Sequence, residues 1–397
     1  MADLATCAPL TPSSVRSAHN KIINHIHHTP LLTNRTLNSI ASTPIRPDEK
    51  APQIRLYFKC ENAQRIGAFK ARGAFHAVLR LIDELGLDEV RRRGLVTHSS
   101  GNHAQALALA GSTFDIPAHI VMPTISTPSK IAGTQAYTSH VRFSGSTSQE
   151  REAMVAEVMA ETGAILVPPY DHPDIMLGQG TAGMEMEEQY LGTQGAKSEG
   201  FDAVVAPLGG GGLLSGTAIW YSDKPGTMVF GAEPNYQGGN DGEMGLKADP
   251  PRRIETVKTL TIADGLRTPV GKNPWGILTG GNSVKRKFVE SVYSVTDDQI
   301  KAALKLVMER MKVFVEPSAV VPLAVILYND EFRRMVAERQ KEGEVWDVGV
   351  IFSGGNTTIE ALIAMFGAGD GVQGEEGKRA EGVMGLDGKA VAENIAG

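Results

Sequence analysis

An α/β protein with mainly parallel sheets is predicted by one pattern that occurs three times along the chain. Residues 94–112, "GLVTHSSGNHAQALALAGS", read as a short apolar strand, a polar turn and an Ala/Leu-rich helix. Residues 201–221, "FDAVVAPLGGGGLLSGTAIWY", follow the same plan with a run of glycines as the turn. Residues 347–366, "DVGVIFSGGNTTIEALIAMF", do so again. Strands alternating with helices make a parallel sheet, and ligands of such sheets gather at the carboxyl ends of the strands. The three polar turns all fall there, so they are expected to face one cleft.

Composition narrows the class of partner. The chain has 397 residues, 42% of them hydrophobic, enough for a large core or two lobes. Its 39 basic and 45 acidic residues are spread evenly and leave a formal charge of −6. No basic face points to nucleic acid, and no apolar run reaches the length of a membrane span, so a small-molecule partner is expected. Cys7 and Cys60 are the only cysteines, without metal-ligand spacing or a disulfide framework. With no leader-like start, the cytosol is the expected compartment. Two stretches read as peripheral. Residues 42–53, "STPIRPDEKAPQ", form a surface loop, and the glycine-rich tail 367–397 is expected to be disordered.

The turns carry the chemistry. Gly209, Gly210, Gly211 and Gly212 lie between a β-rich run and a helix start, where backbone N–H groups can converge on an anion. A phosphate is the natural guest, and the nucleotide motifs do not fit, since no Lys-Ser/Thr of a P-loop follows and no G-x-G-x-x-G lies within this run. A ligand-free tight turn is the plainer alternative. "HSSGNH", residues 98–103, supplies hydroxyls, an amide and a helix N-terminus suited to a carboxylate, although capping by Ser99, Ser100 or Asn102 explains such residues equally well. "SGGN", residues 353–356, adds one hydroxyl from Ser353.

Lys70, in "RIGAFKARGAF", has the apolar neighbours Ala68, Phe69 and Ala71. A buried ammonium must be solvated, paired or chemically changed. Arg72 is expected to pair with an acidic residue and to disfavour a second positive charge at Lys70. A phosphate loop, a carboxylate cradle, a lone hydroxyl and an apolar-set lysine are together the parts that hold pyridoxal phosphate as a Schiff base.

The ordered set "AFKARGA", "SSGNHAQA", "GGGGLLSG", "GAEP" and "SGGN" resembles the fold-type II pyridoxal-phosphate enzymes over residues 18 to 366. It is most similar to the group of serine racemases, serine/threonine dehydratases and threo-3-hydroxyaspartate ammonia-lyases. The resemblance implies a tryptophan synthase β-like architecture of two three-layer α/β lobes with the cofactor between them. The large lobe would take residues 1–90 and 166–366, and a small mobile lobe residues 91–165. It further implies that Lys70 is the Schiff-base lysine, that Phe69 packs on the cofactor ring and that Asn102 meets the ring hydroxyl. Gly209 to Gly212 with Leu213 would hold the phosphate, and Ser353 would face the ring nitrogen. Ser99, Ser100, Gly101, Asn102 and His103 become contacts of the substrate carboxylate, with Ser100 as the second proton donor that racemisation needs.

The same resemblance implies a homodimer and a Mg²⁺ or Ca²⁺ site. Glu233 of "AEP" would be the first ligand of that cation. The family's carboxylate six residues later is here Gly239, so a two-residue insertion must bring in Asp241, with Gln237 or Gly239 giving a carbonyl. The activity implied is dehydration of serine, threonine or 3-hydroxyaspartate to a 2-oxo acid and ammonia, with racemisation permitted. β-Replacement is disfavoured, because such enzymes usually carry Lys-Asp-Arg and Thr-Ser-Gly-Asn-Thr where this chain has "KARG" and "SSGNH". A non-catalytic cofactor-binding protein is the remaining alternative.

Overall fold

The computed structural model describes residues 3–145, 147–280 and 288–367. Among these, ten strands form two sheets: β1 (Leu31–Thr33), β2 (Ile54–Cys60), β3 (Leu95–His98), β4 (Ala118–Pro123), β5 (Val141–Ser144), β6 (Ile165–Leu166), β7 (Ala203–Pro207), β8 (Met228–Pro234), β9 (Ser291–Val295) and β10 (Trp346–Phe352). The helices that matter below are α1 (Lys70–Leu85), α2 (Asn102–Thr113), α3 (Pro128–Gln135), α4 (Pro173–Leu191), α5 (Gly212–Trp220), α6 (Asp241–Lys247), α7 (Asp297–Leu306) and α8 (Pro317–Tyr328).

The larger sheet has the order β1-β2-β10-β7-β8-β9, and only its edge strand β1 runs antiparallel. Every residue of β7 and of β10 is buried, as a parallel sheet covered on both faces requires. Side-chain alternation then sorts the residues by face. Val204, Ala206 and Ile351 pack with Leu177 of α4 and Leu213 and Ile219 of α5. Val205, Val348 and Val350 pack with Leu304 of α7 and Val321 and Val325 of α8 on the opposite face. Each such side chain taken from water contributes about 1.5–3 kcal/mol, so this three-layer arrangement dominates stability.

The smaller sheet is entirely parallel, in the order β5-β4-β3-β6. One face packs Leu95, Ile120 and Met122 on Leu107 of α2 and Phe75 and Val78 of α1; the other sets Val96 and Val121 against Val155 and Val158. Helix α7 begins in a capping box between Thr296 and Gln299, and α8 is buried throughout all but its last residue despite Pro322 inside it. Residues 42–53 hold no helix or strand. The tail beyond Gly367 lies outside the described residues. What matters for the site is that β3, β6, β7 and β10 direct their carboxyl ends toward one cavity.

Candidate active site

Lys70 is placed by the crossover between the ends of β2 and β10. Ile66 and Gly67 take positive φ values of 57° and 70°, and Asn356 Nδ2 donates to Ile66 O at 2.8 Å. Phe69 N donates to Ser353 O at 3.0 Å, and Ala68 bridges Gly354. These bonds start α1 at Lys70. Its Nζ donates to Pro169 O at 2.6 Å and lies 5.0 Å from the Phe69 ring centroid, and among the described residues no carboxylate forms an ion pair with it. Burial pushes the amine down to about 7. The expected influence of Arg72 is corrected here. Arg72 faces the core, where Glu61 and Glu185 take up its charge, and burial alone lowers Lys70.

The glycine run ends β7 and opens α5. Gly211 has φ +93°, and a Cβ on Gly210 would lie 2.4 Å from Tyr170 Cγ, so neither position accepts a side chain without displacement. Among the described residues, no N–H from Gly209 to Leu213 donates to a protein acceptor. Five unpaired donors at one helix N-terminus form a cradle for an anion.

The "SSGN" turn closes the other side. Helix α2 starts after Gly101 with no side-chain cap, so the capping alternative fails; Ser99 Oγ instead accepts from Gly101 N at 3.2 Å. Ser100 is exposed to the cavity. Asn102 is fixed from both ends of its amide: Nδ2 donates to Glu316 Oε1 at 2.9 Å, and Oδ1 accepts from Asn356 Nδ2 at 2.8 Å. His103 bonds Val167 O through Nε2 at 3.0 Å, and burial, reinforced by Lys70, pushes it down to about 3. It is therefore neutral at physiological pH. Ser353 is buried at the end of β10.

Lys70, Phe69, Ser99, Ser100, Gly101, Asn102, His103, Gly209, Gly210, Gly211, Gly212, Leu213 and Ser353 line one cavity of about 350 Å³, within the range of small-molecule sites. The donor cradle, the stripped amine and the buried hydroxyl fit pyridoxal phosphate in charge and chemistry. The cation residues lie elsewhere. Glu233 is fully buried, and its two oxygens accept from Gly242 N and Glu243 N, each at 2.9 Å. Asp241 Oδ2 accepts from Val270 N at 2.9 Å. Burial and Asp241 push Glu233 well above the carboxylate range, and burial pushes Asp241 up to about 6. Neither makes an ion pair among the described residues, so this adjoining carboxylate pair fits a hard cation. Gln237 and Gly239 shape the turn beside it: Gln237 Oε1 accepts from Leu260 N at 3.0 Å, and Gly239 N donates to Tyr236 O at 3.1 Å.

Sequence reasoning missed several residues. Tyr170 packs over the glycine loop, and its position after β6 at a strand's carboxyl end was the available signal. Glu316, at the N-cap position of α8, lines the cavity and is pushed up to about 7 by burial and by Asp264, against Lys130. Lys130 of α3 is ion-paired with Asp264, joining the smaller sheet's lobe to the larger. Nothing local in sequence marked that pair.

Comparison with known proteins points the same way. The family model described as "Pyridoxal-phosphate dependent enzyme" matches residues 24–354. The L-threo-3-hydroxyaspartate ammonia-lyase of Saccharomyces cerevisiae is 39% identical over 352 residues, covering 88% of this chain and 94% of the relative. A serine racemase of Dictyostelium discoideum is 36% identical over 356 residues, covering 89% and 97%. Among solved structures, maize serine racemase superposes with a TM-score of 0.75 at 34% identity, covering 90% of this chain and 96% of that one.

Proposed function

Because this chain belongs to the family of pyridoxal-phosphate dependent enzymes, we propose that it removes water and ammonia from a β-hydroxy amino acid to leave a 2-oxo acid. It is a fold-type II enzyme of the hydroxy amino acid lyase and serine racemase group. One observation carries the reading: among the described residues, a lysine pushed down to about 7 and without a counter-ion faces the same cavity as five unpaired N–H donors.

We assign roles on that basis. Lys70 holds the cofactor and, once displaced by substrate, takes the Cα proton, for which an amine titrating near 7 is well matched. Pyridoxal phosphate, when bound, supplies the sink for the electron pair that this proton leaves behind. The N–H groups of Gly209–Leu213 would bind its phosphate, Phe69 would pack on its ring, and Asn102, held by Glu316 and Asn356, would meet its hydroxyl. Ser353 would offer the ring nitrogen a neutral hydroxyl instead of a carboxylate, which would weaken the sink and favour loss of the β-hydroxyl or prompt return of the proton. Ser99, Ser100, Gly101, Asn102 and His103 hold the substrate carboxylate at the start of α2. Ser100 delivers a proton to the second face when racemisation occurs.

A hard divalent cation at Glu233 and Asp241, with carbonyls of Gln237 and Gly239, belongs to the same reading, as does closure of lobe 91–165 over the lobe formed by 1–90 and 166–366. So do a homodimer as the working form and the cytosol as its compartment. Among the described residues no helix is long and apolar enough to cross a membrane.

The test is an assay of the holoenzyme with Mg²⁺ on L-serine, L-threonine and L-threo-3-hydroxyaspartate, recording 2-oxo acid and product chirality together. Oxo acid from one substrate is expected, with any D-amino acid lost in Ser100→Ala. Neither product from any of the three overturns the proposal.

A further inference from the structure

Cys7, His172 and Asp174 meet outside the cavity, and the catalytic reading uses none of them. The N-terminal segment is hooked onto α1: Thr6 Oγ1 donates to Glu84 Oε2 at 2.9 Å, Asp3 N donates to Glu84 Oε1 at 3.3 Å, and Arg80 Nη2 donates to Thr6 O at 2.9 Å. The hook sets Cys7 Sγ 3.8 Å from His172 Nε2 and 3.8 Å from Asp174 Oδ2. A sulfur, a ring nitrogen and a carboxylate oxygen thus lie within 4.8 Å of one another, with His172 and Asp174 buried and Cys7 partly so. Asp174 is 1% exposed, and its Oδ1 makes no hydrogen bond; Arg80 Nε lies 3.6 Å from it.

We propose that these three side chains bind a thiophilic divalent cation, with Zn²⁺ as the type ion and water in the fourth position. Zinc bonds of about 2.0–2.3 Å to N, O and S require tetrahedral edges of about 3.3–3.6 Å, so the two 3.8 Å separations from Cys7 need to shorten slightly and the His172–Asp174 edge by more. Binding releases the Cys7 thiol proton to solvent, and thiolate and carboxylate together balance the ion. Arg80 beside Asp174 and Glu84 near Cys7 are the other charges facing the site, and they oppose each other. Asp174 N donates to His172 Nδ1 at 3.2 Å, which places the metal-free ring's proton on Nε2. Loading moves that proton to Nδ1 and exchanges a helix-capping hydrogen bond for a metal–nitrogen bond. The ion would fasten the N-terminal hook to the root of the loop whose Pro169 carbonyl receives Lys70 and whose Tyr170 covers the glycine cradle.

Holoenzyme in excess Mg²⁺ is titrated with Zn²⁺ in a calorimeter, and iodoacetamide alkylation of Cys7 is followed by peptide mass spectrometry. Cys7 is the accessible thiol, since Cys60 is buried. One Zn²⁺ per chain is expected, with Cys7 alkylation slowed at least tenfold. Zinc binding should vanish in Cys7→Ser and in His172→Asn, and the protection of Cys7 should vanish in His172→Asn, which keeps a good helix cap. Cofactor absorbance should be unchanged in either variant. Zinc binding of equal affinity in wild type and both variants, or wild-type alkylation that zinc does not slow, overturns the proposal.

Discussion

Lys70 and Arg72 stand two residues apart in the first turn of α1, the first half-buried in the cavity wall and the second fully buried in the core, and they meet opposite environments. Arg72 Nε and Nη2 grip Glu61 at 2.7 and 2.8 Å, and Nη1 and Nη2 reach Glu185 at 2.8 Å. Lys59 completes the cluster, with Nζ 2.8 Å from Glu185 and 2.9 Å from Thr29 O. Two cations face two carboxylates, so burial, which by itself would lower Arg72, is overcome and its affinity for the proton rises. Glu185 is held down at about 2 by Arg72 and Lys59 despite its own burial. Among the described residues Lys70 has one carbonyl and no counter-charge, so desolvation is unopposed. The same helix turn thus carries one cation locked on and one poised to shed its proton, and the difference lies in the partners.

Substituting methionine at each position separates the two cases. Lys70→Met should abolish turnover, a loss of at least about 10³-fold, because it removes both the cofactor's attachment and the proton acceptor. The apoprotein should stay folded, as an unpaired buried amine has been replaced by an apolar chain of similar shape. Arg72→Met should instead leave the two buried carboxylates Glu61 and Glu185 to the single charge of Lys59 and cost about 3–5 kcal/mol of stability. Urea unfolding of both apoproteins at pH 7 checks the contrast, and equal destabilisation would show that Lys70 too is structurally paired.

How far each residue was legible follows from the same contrast. Lys70, the glycine run and "SSGN" were legible because their chemistry sits in contiguous residues at strand ends. The network was not, because Arg72 and Glu185 are 113 positions apart and no local pattern reports a partner at that distance. Tyr170 and the Lys130–Asp264 pair were obscured for the same reason, since the lobes that bring them together are assembled from separate stretches of chain. The layers themselves were readable because burial on both faces of a parallel sheet imposes continuous apolar runs on β7 and β10.

A smaller effect sharpens the Lys70 side. With its amine at about 7, half of it is neutral at pH 7, against about one part in 3,000 for an unperturbed lysine. Capture of pyridoxal phosphate by the apoprotein should therefore accelerate as pH rises to about 7 and then level off, read as growth of visible absorbance. Stability carries the same signature. Between pH 7 and 10.5 the unfolded chain binds the Lys70 proton and the native chain does not, so wild-type apoprotein gains stability with rising pH relative to Lys70→Met. A capture rate still climbing at pH 9 would place the amine in an ordinary lysine environment.

Glu316 provides the acidic counterpart, with the sign reversed. Its carboxyl is walled in, accepts from Asn102 at 2.9 Å through Oε1 and leaves Oε2 without a hydrogen bond, and burial with Asp264 pushes it up to about 7. A native carboxyl raised above its unfolded value holds its proton more firmly in the folded state, so its stabilising contribution is present at low pH and is lost as pH rises through 7. Glu316→Gln keeps an acceptor for Asn102 but cannot ionise. The variant should match wild type in urea midpoint at pH 5 and exceed it at pH 8. Its pH–activity profile should lose one inflection near 7 while the maximal rate changes little, because Gln holds Asn102 as the protonated carboxyl does. Lys130 faces Glu316 from α3 and lowers it, so Lys130→Met should move the wild-type inflection upward and leave the Gln variant unaffected. A Gln variant less stable than wild type at pH 8 would mean that the carboxylate is paired in the working enzyme as Arg72 is paired in the core.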